Sequence, residues 1–111
     1  MNDRKRERLA SWMMEAAAEF IARSVALPET LITVTRVHLE PHLERAMIYI
    51  SVWPEAKEAE ALKLVRAARR DFYEYTKRKF TIGQRVPVDF DIDRGEKARL
   101  RFEEILRGEK R

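Results

Sequence analysis

The chain has 111 residues, enough for one domain around a single core. It is 45% hydrophobic and 38% charged, carries a formal net charge of +4 and contains no cysteine, which excludes disulfides, cysteine-based metal sites and thiol catalysis. The positive excess is local: residues 9–62 hold four Lys/Arg against eight Asp/Glu, whereas residues 63–85 hold eight against two. A basic segment of this kind is the electrostatic footprint of an anionic partner.

The opening stretch contains Arg4, Lys5 and Arg6, but no apolar run follows it, because Glu15 and Glu19 interrupt the first periodic segment. A signal peptide is therefore not expected, and no run approaches the length of a bilayer, so the expectation is a soluble, intracellular protein. Residues 5–25 read as an amphipathic helix, with Leu9, Trp12, Met13, Ala16, Phe20 and Ile21 at helical spacing. Asn2 or Asp3 is placed to cap it, and Pro28 marks its end. Residues 30–40 are rich in β-branched side chains and read as a strand. Strict alternation puts Leu31, Val37 and Leu39 on one face with Thr33 and Thr35, and Ile32 and Val34 on the other.

A turn at residues 41–44 leads to a second strand over 45–53. Ala46, Ile48, Ile50 and Val52 point one way, and Met47, Tyr49, Ser51 and Trp53 the other. The pair suits an antiparallel hairpin with one face packed on helices. After Pro54, residues 55–80 read as helix, with Ala61, Leu62, Val65, Ala68, Phe72 and Tyr75 or Thr76 inward. That is long for a globular helix, so a bend or break is expected inside it. Residues 81–84 read as a loop. Val86, Val88, Phe90 and Ile92 then alternate with Pro87, Asp89 and Asp91, the cleanest strand pattern in the chain, and Pro87 suits a strand start or an edge. Residues 96–107 read as a last helix anchored by Leu100, Phe102, Ile105 and Leu106. The order α-β-β-α(α)-β-α predicts a two-layer α+β domain spanning residues 1–111, a three-stranded sheet with helices on one face.

That order matches the type II KH-like fold, and the residues go further. Ile32-Thr33-Val34-Thr35-Arg36-Val37, followed by Leu43-Glu44-Arg45-Ala46-Met47-Ile48-Tyr49-Ile50-Ser51-Val52, resembles the paired-strand signature of the ribosome-binding factor A family. Arg85-Val86-Pro87-Val88-Asp89-Phe90-Asp91-Ile92-Asp93 looks like that family's later strand, and Arg101-Phe102-Glu103-Glu104-Ile105-Leu106 like its final helix. The resemblance runs over nearly the whole chain in the right order. It implies a non-enzymatic, cofactor-free factor that binds the small (30S) ribosomal subunit late in assembly. It further implies a role in 16S rRNA maturation and processing, a link to cold adaptation, and a cytoplasmic, monomeric protein with no membrane or small-molecule partner. Where the family's interrupted helix carries an Ala-x-Gly kink, this chain has Ala68-Arg69-Arg70, with arginine in place of glycine.

The basic segment supplies the candidate RNA contacts. Lys and Arg on a folded surface neutralise phosphates and release condensed counterions, and the planar guanidinium adds forked donors. Arg66, Arg69, Arg70, Lys77, Arg78, Lys79 and Arg85 are the main candidates, with Arg4, Lys5 and Arg6 secondary. Tyr73 and Tyr75 are stacking candidates, although packing is the commoner role for such residues. His38 and His42 are too few for a structural zinc site. Asp89, Asp91 and Asp93 resemble half of a cation site, but the first two are expected to face solvent and the third to cap the last helix. No catalytic or metal-binding residue is assigned. The alternatives are a KH-like or ferredoxin-like protein-interaction module using the sheet face of Met47, Tyr49 and Trp53, and a small nuclease built on the aspartates.

Overall fold

The computed structural model describes residues 2–79 and 86–108, so Arg85 and the predicted loop at 81–84 lie outside the described residues. Helix α1 (Asp3–Ser24) begins where Asn2 Oδ1 accepts a hydrogen bond from the Lys5 backbone N–H at 2.9 Å. That bond satisfies one of the donors a helix N-terminus leaves open, and Asp3 sets a negative charge against the helix dipole. Its inner side is Leu9, Met13, Ala16, Ala17, Phe20 and Ile21.

Strands β1 (Leu31–Leu39) and β2 (Ala46–Trp53) form the antiparallel hairpin, joined through a short 3-10 turn at Pro41–Leu43. Strand β3 (Val88–Ile92) pairs with β2 in parallel, giving the sheet order β1-β2-β3. A parallel neighbour needs a long crossover. Here it contains a 3-10 turn at Glu55–Lys57 and helices α2 (Glu58–Ala67) and α3 (Arg69–Lys79). Helix α4 (Arg94–Gly108) follows β3. The result is one α+β domain with the type II KH-like order of elements.

The core lies between one sheet face and helices α1 to α3. Ile48 and Ile50 from β2, Phe90 from β3, Val65 from α2 and Phe72 from α3 are fully buried. Burying each such side chain contributes about 1.5–3 kcal/mol. Phe72 sits at the centre of an aromatic cluster, its ring 5.2 Å from Phe20, 6.2 Å from Tyr75 and 6.1 Å from Phe90.

Two sequence expectations meet a different structure, and a third, the break in the long helix, is met without the glycine that causes it in the family. In β1, Val34 pairs with Ile50 but Arg36 pairs with Tyr49, so Thr35 is an extra residue. An inserted residue reverses which alternate side chains face inward. Val34 and Leu39, of opposite parity, are therefore both buried, while Leu31 is 63% exposed. Strict alternation holds only on each side of the bulge.

The long helical run does break, at Ala68, with no glycine present. Ala68 adopts φ −89° and ψ 0°, and its N–H is shared between the Leu64 and Val65 carbonyls at 3.1 Å each. That backbone conformation has negative φ and is open to any L-residue, so arginine at position 70 does not prevent it.

The second difference is α4. Leu100, Phe102, Ile105 and Leu106 do not anchor it, and all four are exposed. Periodicity identifies an amphipathic helix without saying what covers its apolar side. The inner sheet face is already filled by α1, α2 and α3, and α4 leaves the end of β3 held mainly by polar contacts.

Candidate nucleic-acid interface

The first cationic group closes an open sheet edge. In β3, the Asp93 N–H bonds to the Ile50 carbonyl and the Pro87 carbonyl accepts from the Ala46 N–H, so alternate residues face β2. Phe90 and Ile92 present their backbone groups to the unpaired side. There the Phe90 and Ile92 N–H groups donate to the carboxylates of Asp89 and Asp91, each at 2.8 Å. Arg66 Nε donates to the Phe90 carbonyl at 3.0 Å and lies 3.5 Å from Asp89. Arg69 is 3.3 Å from Asp89, and Arg94 is 3.8 Å from Asp91. A bare edge strand is a template for pairing with another chain, and these side chains occupy it. Asp89 and Asp91 are thus half-buried members of a charge cluster, not solvated residues. Arg66 and Arg69 are committed to that cluster.

The outward side of α3 is different. Arg70 and Arg78 are exposed and have no hydrogen-bond or ion-pair partner among the described residues. Arg70 and Lys77 are two helical turns apart and share one side of the helix. Lys77 has only a loose contact, 3.8 Å from Glu74. Lys79, at the end of α3, holds its ammonium 5.5 Å from the centroid of the Tyr75 ring. Tyr75 packs 5.6 Å from Phe20, so it serves the core boundary and does not offer both faces for base stacking. Tyr73 is half-buried.

At the N-terminus, Arg4 and Lys5 are exposed without side-chain partners among the described residues. Arg6 instead donates to the Leu39 and Glu40 carbonyls at 2.8 and 3.3 Å and ties α1 to the end of β1. Lys63 and Arg8, not singled out from the sequence, are also exposed and unpartnered among the described residues. The seven-residue spacing of Lys63, Arg70 and Lys77 is the sequence signal that points to Lys63.

Asp93 organises the opposite end of the sheet. Its Oδ1 accepts from the Glu96 N–H at 3.0 Å, capping α4, and its Oδ2 accepts from the Thr35 hydroxyl at 2.6 Å. Arg36 Nε lies 3.3 Å from Oδ2 and is a further donor to it. Burial alone raises the pKa of this carboxyl. The Thr35 hydroxyl, the Glu96 amide and the Arg36 guanidinium outweigh it and hold the group below its ordinary value. Lys97 and Arg101 fasten α4 to the turn after β2, where Glu55 meets each at 2.9 Å, and Lys97 also reaches Glu58 at the start of α2 at 3.0 Å. Hydrogen bonds to Glu55 and Glu58 raise the Lys97 pKa, and the bond from Lys97 lowers that of Glu55.

On the open sheet face, Met47 and Tyr49 are half-buried, and the Arg36 guanidinium stacks 3.8 Å over the Tyr49 ring. Only Trp53 of the expected stripe is fully presented, 71% exposed beside its cross-strand neighbour Leu31. Among the described residues, no three His, Asp or Glu side chains are arranged to hold a metal ion, and no helix is long and apolar enough to cross a membrane.

No family model and no curated protein matches the chain. Solved structures do. The crystal structure of ribosome-binding factor A from Thermus thermophilus superposes with a TM-score of 0.66 at 23% identity, covering 78% of this chain and 93% of that one. A solution NMR structure of a ribosome binding factor A candidate from Thermotoga maritima gives 0.67 at 20% identity, covering 82% and 90%. The bulged hairpin, the helix interrupted at Ala68 and the parallel third strand therefore build, over most of the chain, the fold of ribosome-binding factor A.

Proposed function

We propose that the chain is a ribosome-binding factor that assists late maturation of the 30S subunit and processing of 16S rRNA, holding rRNA phosphates on the outward side of α3. One observation carries the choice of surface: among the described residues Arg70 and Arg78 stand unpartnered, whereas Arg66 and Arg69 are engaged by Asp89. An unpaired guanidinium meets a phosphate without first breaking an internal contact. Lys77 extends the same surface, Lys63 adds to it across the break, Arg4 and Lys5 form a second patch, and Lys79 stands on the α1 side of the helix over Tyr75. In this reading the protein acts as a cytoplasmic monomer without cofactor or chemistry of its own, and its loss is felt most in the cold. The fold shared with ribosome-binding factor A supports the ribosomal assignment.

The test is binding of immature small subunits and of 16S rRNA fragments by the Arg70→Ala/Arg78→Ala double variant. Each lost phosphate contact lowers the slope of log K against log salt by about 0.9 for a duplex. Two contacts amount to about 1.8 in slope, or roughly sixtyfold in affinity at about 0.1 M salt. Unchanged affinity and slope, with native circular dichroism, remove this surface from the interface. In cells, accumulation of precursor 16S rRNA on deletion tests the maturation role.

The exposed Trp53–Leu31 pair favours a second reading, a protein-interaction module using the open sheet face. A Trp53→Ser variant that loses subunit binding yet keeps full affinity for free RNA selects that reading.

A further inference from the structure

A cavity of about 120 Å³ opens between α4 and the end of β2, and its apolar lining is Val52, Trp53, Ile92 and Leu100. Leu31 stands beside it, paired with Trp53 across the β1–β2 hairpin. Leu31, Trp53 and Leu100 are all exposed. At about 200 Å² for a large apolar residue, they leave on the order of 350 Å² of apolar surface open. Exposed hydrophobic residues scattered singly are ordinary, but a contiguous patch of this size marks a contact surface. Tryptophan beside a pocket is also the kind of anchor on which protein interfaces depend most.

The charges around the patch select among partners. Four carboxylates line the cavity, those of Glu55, Glu58, Asp93 and Glu104, against two cations, Lys97 and Arg101. Lys97 is held by Glu55 and Glu58, Arg101 is held by Glu55, and Asp93 meets Arg36 from outside the lining. Glu104 has no hydrogen-bond or ion-pair partner among the described residues. Arg107, one turn further along α4, is not part of the lining and makes no ion pair with it. Internal pairing thus leaves the described lining with one free carboxylate and no free cation. A nucleic acid stacked on Trp53 would bring its phosphates toward that carboxylate, and like charges repel. A protein segment carrying a cationic side chain is attracted to it.

Size narrows the occupant further. An apolar cavity of about 150 Å³ holds a benzene ring, so 120 Å³ is matched to one aliphatic side chain. We propose that this groove is a docking site for a protein segment that inserts one aliphatic side chain between Trp53 and Leu100 and sets a cationic side chain against Glu104. The proposal rests on the protein-interaction reading of the open sheet face and adds to it the occupant and a second wall, α4. The cations of α3 take no part in it, so it holds whether or not they bind RNA.

The probe is acetyl-leucyl-glycyl-lysine amide, titrated into the full wild-type chain and followed by NMR at the Trp53 indole N–H. A saturable shift with a Kd of about ten millimolar is expected from one buried side chain and one exposed ion pair. Replacing the leucine of the peptide by alanine should weaken binding about tenfold, and Leu100→Ser in the protein should weaken it about fivefold. Replacing the lysine of the peptide by glutamate should weaken binding about fivefold. Glu104→Gln should abolish that preference for lysine and leave the preference for leucine intact. A response that does not distinguish leucine from alanine, or a lysine preference that survives Glu104→Gln, overturns the proposal. A stronger Trp53 response to a short uridine oligonucleotide than to the peptide also overturns it, in favour of base stacking. Loss of subunit binding by Trp53→Ser, with no saturable shift from the peptide, keeps the sheet face as an interface and refutes this occupant.

Discussion

Asp93 joins three parts of the molecule, and replacing it measures that junction. Its side chain is nearly inaccessible and accepts from the Glu96 amide, the Thr35 hydroxyl and the Arg36 guanidinium. Loss of an N-cap costs about 1 kcal/mol. Loss of a hydrogen bond to a buried charged acceptor costs about 1.5–3 kcal/mol. Arg36 is more than half exposed, so its share is small, about 0.5 kcal/mol. Allowing for coupling among the three, Asp93→Ala should destabilise by about 3 kcal/mol. For a domain of this size that is a fall in Tm of about 12–20 °C. Asp93→Asn keeps an oxygen able to cap α4 but loses the charge, and should cost about half as much. Urea denaturation followed by circular dichroism reads both. The pH dependence gives an independent check. The folded carboxyl titrates below its ordinary value, so its contribution is complete above the unfolded pKa of about 3.9 and disappears as pH falls through the lower folded value. Between these values wild type should lose stability relative to Asp93→Asn, and the two curves should converge in stronger acid. A cost below about 1 kcal/mol for Asp93→Ala, or a pH-independent gap between wild type and Asp93→Asn, refutes the reasoning.

Arg66→Ala removes the donor to the Phe90 carbonyl and the positive charge beside Asp89 and Asp91, and uncovers the outer edge of β3. It should cost about 1–2 kcal/mol and bring concentration-dependent self-association, read by light scattering. Phe72→Ala empties the centre of the aromatic cluster and should cost about 3–5 kcal/mol in the same denaturation assay. Phe102→Ser and Ile105→Ser, at positions 60% and 53% exposed, should each change stability by less than about 0.5 kcal/mol. A loss above about 2 kcal/mol at either position means that the outer side of α4 is covered in solution.

Much of the fold was readable because each element satisfies a local rule. The 3–4 spacing of Leu9, Met13, Ala16 and Phe20 specifies α1. The alternation of Ala46, Ile48, Ile50 and Val52 specifies the inner side of β2. Asn2 and Asp93 cap helices as their positions suggest, and the run over 55–80 breaks as its length demands. The bulge at Thr35 escaped because periodicity cannot register one unpaired residue. Its purpose appears only when the hydroxyl is seen to meet Asp93 from a strand that does not neighbour β3.

The candidate interface divides along the same line. Charge counting located the basic segment, since net charge is additive along a chain and needs no coordinates. It could not separate Arg66 and Arg69, held at a strand edge, from Arg70 and Arg78, which face solvent. All four stand within thirteen positions of one another, and what distinguishes them is the carboxylate of Asp89, brought across from another element by the parallel pairing of β3 with β2. Linear order thus specified the composition of each surface through spacing and capping. Only the packed structure decided which cations are spent on one another's counter-charges and which remain free, because an ion pair depends on distance in space.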